Sequence, residues 1–112
     1  MNAGGTFLKE LSLSPDFVKW NRPTLLMPTL SIFFGIVIRM YYDDHPPPHF
    51  HAIYGEHEAK IGIETLELID GKLPRRAFGL VVDWAELHQQ EVPDNWVRGQ
   101  EQDALFPIEP LE

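Results

Sequence analysis

The sequence predicts an α+β fold: a small sheet of three or four mostly antiparallel strands packed against one main helix near the C-terminus, over about residues 74–91. Three observations predict it. Between Ile32 and Ile69, β-branched and aromatic residues recur at a spacing of two, interrupted by short turns. From Ala77 to His88 the apolar spacing changes to three and four. The 112 residues are 44% hydrophobic and 23% charged, which suits a single globular domain with one core.

The elements follow in order. Residues 1–26 read as an N-terminal extension, in which Ser14-Pro15 is a helix start and Phe17, Val18 and Trp20 could dock on the body. Ile32 to Tyr42 is the strongest strand signal, apolar in both phases through Val37, as expected of a central strand covered on both faces. Phe33 and Phe34 are expected in the core. The prolines before His49 must be loop, because they cannot donate to a ladder. His49 to Tyr54 then places Phe50, Ala52 and Tyr54 on one face and His49, His51 and Ile53 on the other. Gly55-Glu56 is a turn, and Ala59, Ile61 and Ile63 mark a further strand. The apolar phase flips before Leu66, which predicts a bulge or tight turn near Glu64-Thr65 and a short strand through Ile69, with Asp70-Gly71 as a turn. Pro74 opens the helix, whose broad apolar face includes Trp84 and His88, and Pro93 is expected to end it. Trp96 reads as core. Residues 27–98 form the domain, and 99–112 an acidic extended tail whose Leu105, Phe106 and Ile108 either dock or await a partner.

The net charge is −8. Residues 1–26 carry three basic and two acidic residues, leaving six basic and fifteen acidic for 27–112, a net of −9. So acidic a body repels phosphate backbones at long range and suits a basic protein partner. The absence of cysteine removes disulfides, thiolate metal sites and cysteine nucleophiles, and fits a cytoplasmic protein. No stretch is long enough to span a bilayer, so no membrane role is expected, and no basic region followed by an apolar core marks a signal peptide. Gly-rich phosphate loops and a nucleophilic serine in a strained turn are also missing.

Three of the five histidines fall within His45-Pro46-Pro47-Pro48-His49-Phe50-His51. His49 and His51, two apart on a strand, point to one face, where both can reach one divalent transition metal. His45 is the chosen third ligand, with His57, Asp43 and Asp44 as alternatives. The same pair can instead act without metal as general acid and base on a phosphodiester. In that reading Tyr54 is a donor, and Arg39, or Arg75 and Arg76 in the first helical turn, meet the phosphoryl charge. His88 is expected partly buried on the apolar helix face, and His57 solvated in its turn.

From Met27 onward the chain resembles a bacterial family, domain of unknown function four-one-six-zero. The segments that carry the resemblance are Met27-Pro28-Thr29, Phe34-Gly35-Ile36-Val37-Ile38, Pro47-Pro48-His49-Phe50-His51-Ala52, Tyr54-Gly55, Gly71-Lys72-Leu73-Pro74 and Val82-Asp83-Trp84-Ala85, within about residues 27–98. Members of that family usually begin at the methionine matching Met27, so the resemblance implies that residues 1–26 are an extension or the product of an upstream start codon. It assigns no activity, but implies that the His49/His51 segment matters. Members are often encoded beside a second small protein, which implies a toxin–antitoxin-like two-gene module. The first functional expectation is therefore a cytoplasmic component of such a module, acting by contact with a small protein encoded nearby and, as an effector, on RNA. The alternative is a non-enzymatic binding module with a structural or metal-holding histidine cluster. A third is a regulator that touches DNA only with its partner. An incompletely covered sheet would also suit a homo-oligomer.

Overall fold

The computed structural model describes residues 28–112. The expectations for residues 1–26 lie outside that range. Five strands run in sequence order across one antiparallel sheet: β1 (Thr29–Phe33), β2 (Ile36–Arg39), β3 (His49–Tyr54), β4 (His57–Gly62) and β5 (Leu68–Gly71). Two helices follow, α1 (Arg75–Leu87) and α2 (Glu91–Gln100). The α+β class is as expected, with one strand more than the sequence suggested.

The extra strand comes from the Ile32–Tyr42 run, which is not one strand but a hairpin. Phe33 pairs with Ile36, so Phe34-Gly35 is a two-residue turn. Both residues have positive φ, 50° and 81°, the signs of a type I′ turn. Phe34 is consequently turned outward and 57% exposed, not in the core. An aromatic residue is a poor turn signal, and unbroken apolarity on both sides conceals the reversal.

One sheet face forms the core. Ile38 stands opposite Ala52, Ala52 opposite Ala59 and Phe50 opposite Ile61, all buried. Helix α1 covers them with Ala77, Val81, Trp84 and Ala85, the three-four spacing of one stripe. The Trp84 ring lies 5.6 Å from that of Phe33 and 5.8 Å from that of Phe50, and its Nε1–H donates to the Glu109 carbonyl at 2.9 Å.

The helix expected over 74–91 is α1, somewhat shorter, and a second helix follows it. Helix α1 stops at Leu87, and residues 88–90 turn before α2 begins. Pro93 lies in the first turn of α2, where a missing N–H leaves no helical bond unmade, so it helps to start a helix and does not end one. The turn expected near Glu64-Thr65 is present at residues 63–65, closed by the Leu66 N–H on the Gly62 carbonyl. Asp70 and Gly71, expected as a turn, belong to β5. Gly71 has φ 78°, and a Cβ there would fall 2.0 Å from the Glu58 carbonyl oxygen, so no other residue fits.

Beyond α2 the chain carries no regular element and docks. Buried Asn95 donates to the Phe106 carbonyl and accepts from its N–H. Ile108 is buried, and its N–H bonds the Leu30 carbonyl on the outer border of β1 at 2.7 Å. Phe106 stays half-exposed under the Arg98 guanidinium, 4.0 Å from the ring centre.

Candidate functional site

The face of the sheet away from α1 carries Arg39, His51, Lys60 and Asp70 in one row, because each stands opposite the next across β2 to β5. His49 lies on the same face, one pleat toward the end at which β3 begins. Both histidines are only 3% exposed. Their ring centres are 5.1 Å apart, with Tyr41 packed on His51 at 4.2 Å and Trp96 against His49 at 5.3 Å.

The hydrogen bonds assign the ring nitrogens. His49 Nδ1 faces the Pro47 carbonyl at 2.8 Å, and a carbonyl can only accept, so Nδ1 carries a proton. His51 Nδ1 faces the Glu58 carboxylate at 3.2 Å, an acceptor for a proton on that nitrogen. The two Nε2 atoms then converge on one oxygen, Asp44 Oδ2, at 2.9 Å from His49 and 3.2 Å from His51. To donate there as well, both rings would have to be doubly protonated, two buried cations side by side. Neutral rings leave both Nε2 lone pairs aimed at the same small volume. The ligand atoms of Asp44, His49 and His51 all lie within 4.8 Å of one another.

Electrostatics follow the geometry. Partial burial pushes the Asp44 carboxyl up, but the His45 N–H, together with the His51 hydrogen bond and the positive charge that protonated imidazoles supply, outweighs it and holds Asp44 below its ordinary value. Burial raises the Tyr41 phenol, and the adjacent Glu58 carboxylate, to which its hydroxyl donates, raises it further. Tyr41 therefore stays a phenol and steadies the carboxylate that orients His51.

The loop carrying Asp44 is tied to the end of α2. The Gln100 side-chain amide donates to the Asp44 carbonyl at 3.0 Å, the Gln102 amide to the Asp43 carboxylate, and the Asp43 N–H to the Gly99 carbonyl at 3.4 Å. Arg39, directly opposite His51, has its Nε buried without a hydrogen-bond partner among the described residues.

The structure thus brings together His49, His51 and Arg39, with Asp44, one of the four sequence candidates, beside both imidazoles. It does not bring in His45, which is exposed and meets Asp44 only through its backbone N–H. His57 is exposed at the far end of β4, opposite Tyr54, and the Asp43 carboxylate is engaged by Gln102. Tyr54 lies on the other face of β3, five residues or about 16 Å along the strand from His49. Arg75 and Arg76 begin α1 and are not part of the cluster. His88 is partly buried beside Trp84, as expected, and pairs with Glu91. Sequence reasoning did not single out Tyr41, Glu58 or Gln100. The two-residue turn at Gly55-Glu56 was the signal for Glu58, since it sets Glu58 opposite Ile53 and on the His51 face. A hollow of about 560 Å³ adjoins the cluster through Pro48 and Trp96 but is not lined by Asp44, His49 or His51.

Fold and site together define a small antiparallel α+β domain with a buried histidine–carboxylate cluster at one end of its sheet. Residues 35–97, more than half of the chain and enclosing the whole cluster, match the family described as Domain of unknown function (DUF4160), and the chain belongs to that family. No curated protein and no solved structure matches it. Among the described residues no helix is long and apolar enough to cross a membrane.

Proposed function

We propose that this chain is a binding module whose Asp44, His49 and His51 hold a divalent transition metal. One observation carries the reading. Each imidazole has its Nδ1 proton engaged by an acceptor, and both Nε2 atoms face the same carboxylate oxygen. That is how metal-bound histidines are commonly oriented, with the outer nitrogen donating to a carbonyl or carboxylate that fixes the tautomer. Two imidazoles and one carboxylate suit zinc and its first-row neighbours. Tetrahedral bonds of about 2.0 Å separate ligand atoms by about 3.3 Å, close to the 2.9 and 3.2 Å from Asp44 Oδ2 to the two Nε2 atoms.

Calorimetric titration of the tag-free chain with zinc, nickel and manganese tests this. One ion per chain is expected, with binding lost in His49→Ala and His51→Ala and retained in His45→Ala. No heat with any of the three metals would end the proposal.

The RNA-targeting effector of a two-gene module has a separate observation in its favour, the pairing of Arg39 with His51. It is less well served by rings only 3% exposed and by a Tyr54 on the opposite face. It predicts growth arrest on expression without the neighbouring gene product, relieved by His51→Ala. Normal growth of both strains would count against it.

A further inference from the structure

The end of the sheet remote from the histidines is built on other lines. The Phe34-Gly35 turn, the last residue of β3 and the first turns of α1 enclose a groove of about 140 Å³, lined by Phe34, Tyr54, Pro74, Arg76, Ala77 and Leu80 among others. Its walls are apolar, and its two aromatic residues are 57% and 38% exposed. Arg76 lies in its wall with Lys72 and Arg75 close by in the chain, against Glu56 in the turn that follows Tyr54. Lys72, Arg75 and Arg76 are all exposed, and among the described residues none forms an ion pair. The Lys72 N–H, bonded to the Glu58 carbonyl, ties that residue to this end of the sheet. These are three of the six Lys and Arg residues in 28–112, a stretch with fifteen carboxylates.

We infer that this groove docks a protein partner which presents one apolar side chain flanked by carboxylates. The volume suits a single side chain, since a cavity of about 150 Å³ accommodates a benzene ring. Exposed aromatics beside arginine are the composition of interface hot spots. Three unpaired cations select the sign of the partner's charge and steer its approach. They also favour a short peptide segment over RNA. At physiological salt, charge is felt over about 8 Å, so a short segment meets the basic patch alone. A phosphate chain would run off the patch across a surface on which twelve more carboxylates than cations remain.

The test uses the full chain and three fluorescent probes: a short peptide with a central Phe between Asp and Glu residues, its Lys-flanked counterpart, and an oligouridylate. The acidic peptide is expected to bind at low salt, with amide shifts confined to residues near 34, 54 and 76–80 in nitrogen-15 spectra. Arg76→Glu should weaken it about tenfold and transfer preference to the Lys-flanked peptide. Arg76 is exposed, so this variant should keep its fold, which circular dichroism checks. No binding of the acidic peptide, or binding unchanged in Arg76→Glu, would overturn the inference. So would tighter binding of the RNA at the same residues, or light scattering that shows a second copy already occupying the groove.

Discussion

The two ends of this sheet solve opposite problems. At one end, His49 and His51 are polar side chains sealed from water, and every ring nitrogen has a partner: Pro47, Glu58 or Asp44. At the other, Phe34 and Tyr54 are aromatic side chains left in water beside Arg76, which forms no ion pair among the described residues. Burying a polar group is costly unless its hydrogen bonds are replaced, so the first end had to be built as a closed network. Exposing apolar surface costs less, and it persists where something else covers it.

The sharpest way to break this comparison is through the core that joins the two ends. Trp84 contacts Phe33 and Phe50 and is fully buried, so Trp84→Ala should cost about 3–5 kcal/mol. Denaturant unfolding should remain a single transition. Two separated transitions would mean that the ends are independent. Next comes Asp44→Ala in metal-free buffer, which strips the partially buried carboxylate that both Nε2 atoms face and should cost about 1–3 kcal/mol. Its pH dependence has a definite sign. The folded Asp44 carboxyl sits below its ordinary value, so its contribution is present in full above that value, about 3.9. It declines as acid is added and is gone below the depressed folded value. The gap between wild type and variant, followed by thermal unfolding from neutral to acid pH, should close there and not near neutrality.

Smaller effects sharpen the picture. Gln100→Ala removes one bond from the Asp44 loop and should cost about 1 kcal/mol or less in stability. It should nonetheless weaken metal binding about tenfold, as loss of outer-sphere support commonly does. Unchanged affinity by calorimetry would show that the loop needs no help from α2. Smallest, and of opposite sign, Phe34→Asn creates the Asn-Gly pair that a type I′ turn favours. A gain of about 0.5 kcal/mol in chemical denaturation is expected. A loss would show that Phe34 stabilises the fold and is not held out for a partner.

The sequence made some of this legible and concealed the rest for identifiable reasons. The faces of β3 could be read because Phe50, Ala52 and the histidines alternate cleanly. The α1 stripe could be read because Ala77, Val81, Trp84 and Ala85 keep helical spacing. The β1–β2 hairpin could not, since Phe34 occupies a turn position that sequence patterns reserve for Gly, Asn or Asp. The break at residues 88–90 was hidden because apolar spacing continues into His88, while Pro93 looked like a stop and serves as a start. In the site, the histidine pair was visible as a local motif. Choosing Asp44 over its neighbour His45 required the path of a proline loop, which no periodicity encodes. Glu58 and Tyr41 arrive from neighbouring strands, so only the register reveals them.

A last consequence follows from the hydrogen bond between Ile108 and Leu30. A meander sheet has two lateral borders, and strand-by-strand growth into a fibre consumes both. Here the returning C-terminal segment takes up the Leu30 carbonyl of the first border, while the second, at Leu68 and Ile69, is exposed among the described residues. Molecules joined through that single free border can only meet head to head, and the union closes at two. The segment that looks most dispensable in the chain is thus the stopper that keeps lateral pairing finite.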